Sequence, residues 1–180
     1  MNIGFKEWTL VCQALGRGEQ SIILRKGGIA EGRDGFRFKH DTFFLFPTLF
    51  HEQLSKTKLP EGTPLPTPEP GSVRIQYSAR VEWTELITDP AIVAKLAPFH
   101  IWKDEVIDER FRYDELQGVN LAFVRVSRLA PEWIFPDEPK FGGCRSWLNL
   151  PELPPQTVQN PVLDDATHLA REKALRDLLK

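Results

Sequence analysis

The chain has 180 residues, 41% hydrophobic and 27% charged, a balance that supports one folded core and excludes wholesale disorder. Its net charge of −2 excludes the strongly basic surface of a dedicated duplex-DNA binder. No run approaches the roughly 20 apolar residues of a membrane-spanning helix.

Met1-Asn2-Ile3-Gly4-Phe5-Lys6-Glu7 lacks signal-peptide organisation, so a cytoplasmic protein without membrane association is expected. Cys12 and Cys144 lie far apart and form no CxxC pair, so reduced thiols are expected rather than a disulfide framework or a zinc knuckle. The charge is uneven. Residues 1–58 hold 9 Lys+Arg against 6 Asp+Glu, and the remainder holds 14 against 19, so the amino-terminal part is the basic one.

Phe5, Trp8, Val11, Cys12 and Leu15 recur at three- and four-residue spacing and predict an amphipathic helix, ended by Gly16 and Gly18. Ser21-Ile22-Ile23-Leu24 reads as a short buried strand leading into the turn Arg25-Lys26-Gly27-Gly28. A second strand is predicted over residues 36–46, stopped by Pro47. Residues 55–71 carry Pro60, Pro64, Pro66, Pro68 and Pro70 and predict a mobile loop inside one domain spanning residues 1–180. Val73, Ile75, Tyr77, Ala79, Val81 and Trp83 alternate with polar residues, the signature of a long strand with one buried face. Asp89 and Pro90 supply an N-cap and a first-turn proline for a helix over residues 91–97. A further short helix follows over Asp104–Phe111, then a strand over residues 121–129. The last helix begins near Asp164 and Asp165, with acids at its amino end and Arg171, Lys173, Arg176 and Lys180 after them, as the helix dipole favours.

Phe5-Lys6-Glu7-Trp8, Leu24-Arg25-Lys26-Gly27-Gly28-Ile29, Phe46-Pro47-Thr48, Phe99-His100-Ile101-Trp102 and Gly142-Gly143-Cys144-Arg145-Ser146-Trp147 together resemble the bacterial domain-of-unknown-function family 1802 over nearly the whole chain. At a greater distance the order of elements is similar to the PUA-like superfamily, in particular its ASCH branch. That resemblance implies an α+β fold: a small curved, mostly antiparallel β-barrel with peripheral helices, handling RNA or nucleosides. The branch carries a Gly-x-Lys-x-x-Glu-x-Arg motif, against which Gly18-Glu19-Gln20-Ser21-Ile22-Ile23-Leu24-Arg25 keeps the glycine and the arginine. Gln20 stands where the lysine would be and Ile23 where the glutamate would be. In branch members that hydrolyse an amide on a modified cytidine, a lysine and acidic groups transfer the protons, and neither Gln20 nor Ile23 can do so near neutral pH.

The residues themselves offer a basic, aromatic rim. Arg25 and Lys26 beside Gly27 and Gly28 suit a phosphate or the backbone of a single strand, although such turns are more often plain charged loops. Arg37 and Lys39 share a strand face and extend the patch, with His40 next to them; a solvated face is the plain alternative. Trp102 and Trp147 are candidates for stacking on bases, with His100 and Arg145 beside them, although tryptophans are more often core. His40, His51, His100, Glu52 and Cys144 have no ligand spacing, so no metal or cofactor is implied. Cys144 next to Arg145 is the one candidate nucleophile, better read as a residue of a tight turn. The expectation is a non-catalytic module for single-stranded RNA or a modified base. The rivals are a hydrolase acting on a modified nucleoside or nucleic acid, and a protein-interaction module using the proline-rich loop.

Overall fold

The computed structural model describes residues 2–26, 38–113 and 117–180. The strands are β1 (Asn2–Trp8), β2 (Ile22–Arg25), β3 (Thr42–Thr48), β4 (Ser72–Ile87), β5 (Val119–Pro136), β6 (Trp147–Leu150) and β7 (Val158–Pro161). The helices are α1 (Thr9–Gly16), α2 (Pro90–Lys95), α3 (Asp104–Phe111) and α4 (Asp165–Leu178). Strands from before and after the proline-rich segment join in one sheet, ordered β2-β5-β4-β3-β1-β6, with β7 also on β5. Among the described residues no helix is long and apolar enough to cross a membrane.

Pairing is antiparallel except between β1 and β3. The expected barrel is corrected in one respect, since among the described residues the strand path has two free ends at β2 and β6 and the sheet does not close. Each end strand has four residues, and each is taken up by its one partner: β2 along Asn120 to Phe123, and β6 along Asn2 to Phe5. A side chain spans the gap instead, because Arg25 at the end of β2 donates from Nη2 to the carbonyl of Lys6, the first β1 residue beyond β6.

The helix expected from Phe5 onward begins only at Thr9. Residues 2–8 form a strand because β3 and β6 pair with them on both edges, which outweighs the helical spacing of Phe5 and Trp8. The strand expected over residues 36–46 is seen as β3, which runs through Pro47; the missing N–H is tolerated because β3 has parted from β4 after Phe44. Residues 36 and 37 lie outside the described residues. The segment expected to be a mobile loop is tethered at its start: Thr57 bridges Trp102, Lys58 N–H donates to the Ile101 carbonyl at 2.7 Å, and Lys103 N–H to that of Lys56 at 3.1 Å. Asp89 caps α2 through Ala91 N–H, and Asp164 caps α4 through Thr167 N–H, as their side chains allow.

The apolar residues form two clusters. In the larger, Phe5, Leu15, Ile23, Phe43, Leu45, Trp102 and Phe123 pack with the helices. Phe44, Phe46, Val73, Ile75, Trp133, Phe135, Phe141 and Leu148 form the smaller. Alternate residues of β3 therefore serve different clusters, which fixes its register by burial on both faces. The β4 row also divides, with Val73 and Ile75 in one cluster and Tyr77 and Ala79 in the other. The change falls at the register shift between Ile75 and Tyr77.

Two glycines end α1 for different reasons. Gly18 takes a left-handed conformation (φ 70°), while Gly16 lies flat against Tyr77, where a Cβ would stand 2.0 Å from the ring. Arg128 holds that ring in place, donating to Tyr77 Oη at 3.2 Å and to the Gly16 carbonyl at 3.0 Å. Gly16→Ala is expected to lower stability by about 1–3 kcal/mol through overpacking. Urea denaturation checks this, and an unchanged midpoint would show that the Tyr77 ring is not confined.

Candidate nucleic-acid interface

The interface is built on β1. Strand alternation turns Phe5 and Glu7 to the inside, where Phe5 is fully buried and Glu7 is 1% exposed. A carboxylate at that depth needs partners. Glu7 Oε1 accepts the Trp8 N–H at 2.7 Å, and Oε2 lies 3.4 Å from Arg25 Nη2. The Arg25 guanidinium sits 4.6 Å from the Phe5 ring centre, a cation–π contact. A second cation approaches from α3. Arg110 donates to the Leu24 carbonyl at 3.1 Å and stacks 3.8 Å from the Trp102 ring centre. Burial pulls the pKa of Arg110 down to about 10, against the pull of Glu7 and with the push of Arg25, so it stays charged at neutral pH.

Phe5 is the hub of an aromatic group. Trp147 lies 4.7 Å from it, Phe43 5.0 Å and Phe38 5.8 Å, and His40 packs edge-on against Trp147 at 5.0 Å. Lys39, next to His40, is exposed, and so is Arg145, two residues before Trp147. Lys26 continues from Arg25 and places its ammonium 3.3 Å from the Tyr113 ring centre. Lys6 donates to the Gly143 carbonyl at 2.8 Å; desolvation and then the charge of Arg145 lower its pKa. Among the described residues, buried Arg25 Nε and Trp147 Nε1 have no hydrogen-bond partner.

Of the residues singled out in the sequence, Arg25 and Trp147 pack on Phe5 and His40 packs on Trp147, Lys26, Lys39 and Arg145 are near them in the chain, and Gly27, Gly28 and Arg37 lie outside the described residues. Two expectations are corrected. Trp102 is 1% exposed and His100 6%, so neither presents a face to an RNA base. His100 Nδ1 accepts the Trp102 N–H at 3.2 Å, and Trp102 in turn carries the Arg110 guanidinium, so this pair supports the interior charges. Among the described residues no three His, Cys, Asp or Glu side chains are grouped so as to hold a metal. Both cysteines are free, Cys12 buried and Cys144 exposed.

Glu7 and Arg110 were missed. A period-two reading of residues 2–8 would have placed Glu7 beside Phe5. On α3 the buried stripe of Val106, Ile107 and Phe111 places Arg110 on the inward face, a signal present in the spacing.

Residues 4–174 match the model of the family described as Domain of unknown function (DUF1802), and the chain belongs to that family. No curated protein matches it. It is similar to three crystal structures of the ASCH protein from Zymomonas mobilis. The first has 9% identity and a TM-score of 0.42, covering 69% of this chain and 66% of that one. Two single-substitution mutants of that protein have 9% and 10% identity and TM-scores of 0.45 and 0.48, each covering 97% of this chain and 95% and 97% of their own.

Two measurements check the interior charges. Arg25→Gln leaves Glu7 buried beside one fewer cation and is expected to cost about 3 kcal/mol. Adding Glu7→Gln should recover more than half of that loss, and strict additivity of the two changes would rule out a coupled pair. Burial, then Lys58 and Arg110, pulls the pKa of His100 down to about 4. The unfolded chain protonates this group near pH 6.5 and the folded chain only near 4, so stability falls as pH drops through that window. From pH 7 to pH 5 the loss from His100 is about 2 kcal/mol. Denaturation at both pH values should show a smaller loss for His100→Asn, which keeps an acceptor for Trp102; an equal loss would refute the assignment.

Proposed function

We propose that this chain is a non-catalytic module that binds single-stranded RNA or a modified base at the mouth formed by Arg25, Lys26, Lys39, His40, Arg145 and Trp147. The observation that carries the reading is the setting of Trp147. Its half-buried indole packs against His40, the exposed cations Lys39 and Arg145 are close to these two in the chain, and its N–H has no acceptor among the described residues. A base stacks on such a ring while its phosphates meet the cations, an arrangement suited to unpaired strands. Arg25 contributes mainly by position, since its guanidinium is engaged with Glu7 and Lys6.

The non-catalytic part of the reading draws on residues 20 and 23. Gln20 donates to the Ile22 carbonyl at 2.6 Å and accepts the Ile101 N–H at 3.2 Å, so both ends of its amide are engaged in the fold. Ile23 is fully buried. Neither side chain can transfer a proton to a ligand.

Fluorescence anisotropy with labelled single-stranded RNA tests the proposal. Binding should weaken with salt, and Lys39→Ala and Arg145→Ala should each reduce the slope of log K against log salt by about 0.7, the value for one single-strand phosphate contact. No salt-dependent binding at low salt, or an unchanged slope in the double variant, removes the proposal.

A further inference from the structure

A cleft of about 430 Å³ opens where β3 and β4 part company. Their ladder holds from Thr42↔Arg80 to Phe44↔Ser78 and stops there. Beyond it, residues 45–48 of β3 with Leu49 after them, and residues 72–77 of β4 except Ile75, line the cleft. The volume falls within the range of roughly 300–1,000 Å³ typical of small-molecule sites. Two strand edges that face each other without pairing offer backbone N–H and C=O groups from both sides.

The shape of the cleft restricts its occupant. One end is shut by the Phe44↔Ser78 pair, and residues 66–69 of the proline-rich segment line it as well. An extended polypeptide adding a strand needs a continuous run along the edge, which a dead-ended slot denies it. A planar ring lying in the plane of the sheet does not: its rim meets the two strand edges and its faces meet the walls. Those walls are α1, through Thr9, Cys12 and Gln13, and the second cluster, through Phe46 and Phe141.

The charges restrict it further. The lining holds two cations, Lys6 and Arg74, and two carboxylates, Glu69 and Asp137, so it has no net charge. Arg74 pairs with Glu132 at 2.6 Å and Glu69 at 3.4 Å, and Lys6 donates to the Gly143 carbonyl. The Asp137 carboxylate and the Thr67 hydroxyl make no hydrogen bond among the described residues, and two side-chain amides are available beside them. The Gln13 side chain makes no hydrogen bond among the described residues, and Gln76 donates to Glu132 at 2.6 Å, leaving its carbonyl oxygen to accept. An amide donates and accepts side by side, which complements an uncharged heterocycle with adjacent N–H and C=O or ring-nitrogen groups.

We infer that the cleft between β3 and β4 binds a single uncharged heterocyclic ring of nucleoside size, read by Gln13, Gln76 and the open strand edges. This deepens the reading of the chain as a base-binding module and rests on it, while adding a second place for a base beside the one stacked on Trp147. The mouth would hold a strand and the cleft would hold one further ring.

Isothermal titration of the full chain with adenosine, guanosine, cytidine and uridine tests the assignment, alongside the RNA titration above. At least one nucleoside should bind with an affinity insensitive to salt. Gln13→Leu and Gln76→Leu, each checked for an unchanged melting temperature, should weaken it about tenfold, the effect of losing one hydrogen bond to a buried polar group. The assignment is overturned if no nucleoside binds, if Gln13→Leu leaves the affinity intact, or if an end-capped dipeptide binds equally well. RNA binding without nucleoside binding overturns the cleft and keeps the mouth. Nucleoside binding lost in Gln13→Leu, with RNA binding indifferent to Lys39→Ala and Arg145→Ala, overturns the mouth and keeps the cleft.

Discussion

The arrangement of this protein depends on how one buried carboxylate is neutralised at the seam of an unclosed sheet. Glu7 points inward from β1 because strand alternation leaves it no other side, and a lone carboxylate at that depth would carry a desolvation penalty of several kcal/mol. Arg25 answers it from the end of β2, the far edge of the sheet, and the same guanidinium takes up the Lys6 carbonyl where β6 has ended. The β2 end of the sheet is thereby held to β1, the neighbour of β6 at the other end, through a side chain. Arg110 stands behind, on the Leu24 carbonyl and the Trp102 ring, and both Glu7 and Arg25 act on its charge.

Placement of the proposed mouth follows from that seam. Phe5, two residues from Glu7 on the same face, is covered by Arg25 on β2 and by Trp147 on β6, so the seam also brings that cation and the indole to one ring. The second feature, the cleft, comes from a different constraint. β3 buries both faces, one row in each apolar cluster, and cannot follow β4 past the point where that strand turns from one cluster to the other. The strands separate and leave their edges open.

How much of this was legible in the sequence depended on the length of each element. The alternation from Val73 to Trp83 marked β4 correctly because a long half-buried strand repeats its pattern many times. The Asp89-Pro90 cap and the acids at 164 and 165 marked α2 and α4 through local chemistry, and α3 was found at its observed limits. β6 and β7, four residues each, are too short to show a period. β1 was hidden by coincidence: Phe5 belongs to a strand and Val11, Cys12 and Leu15 to a helix, yet their spacing fits one continuous helix. Reading β1 as a helix concealed Glu7 and with it the reason for Arg25. The contacts of Arg25 and Trp147 with Phe5 were not visible in the sequence, nor was the depth of His100 and Trp102, since burial by Arg110 and Thr57 is a tertiary matter.

The most direct examination of the mouth is a two-dimensional 1H–15N NMR titration of the full chain with single-stranded RNA, followed through the five tryptophan indole N–H signals. The Trp147 signal should move most, together with the amides of Lys6, Lys26, Lys39, His40 and Arg145, while those of Trp102 and Trp133 in the interior stay in place. Shifts centred on α4 and β7 with Trp147 unmoved would contradict the account.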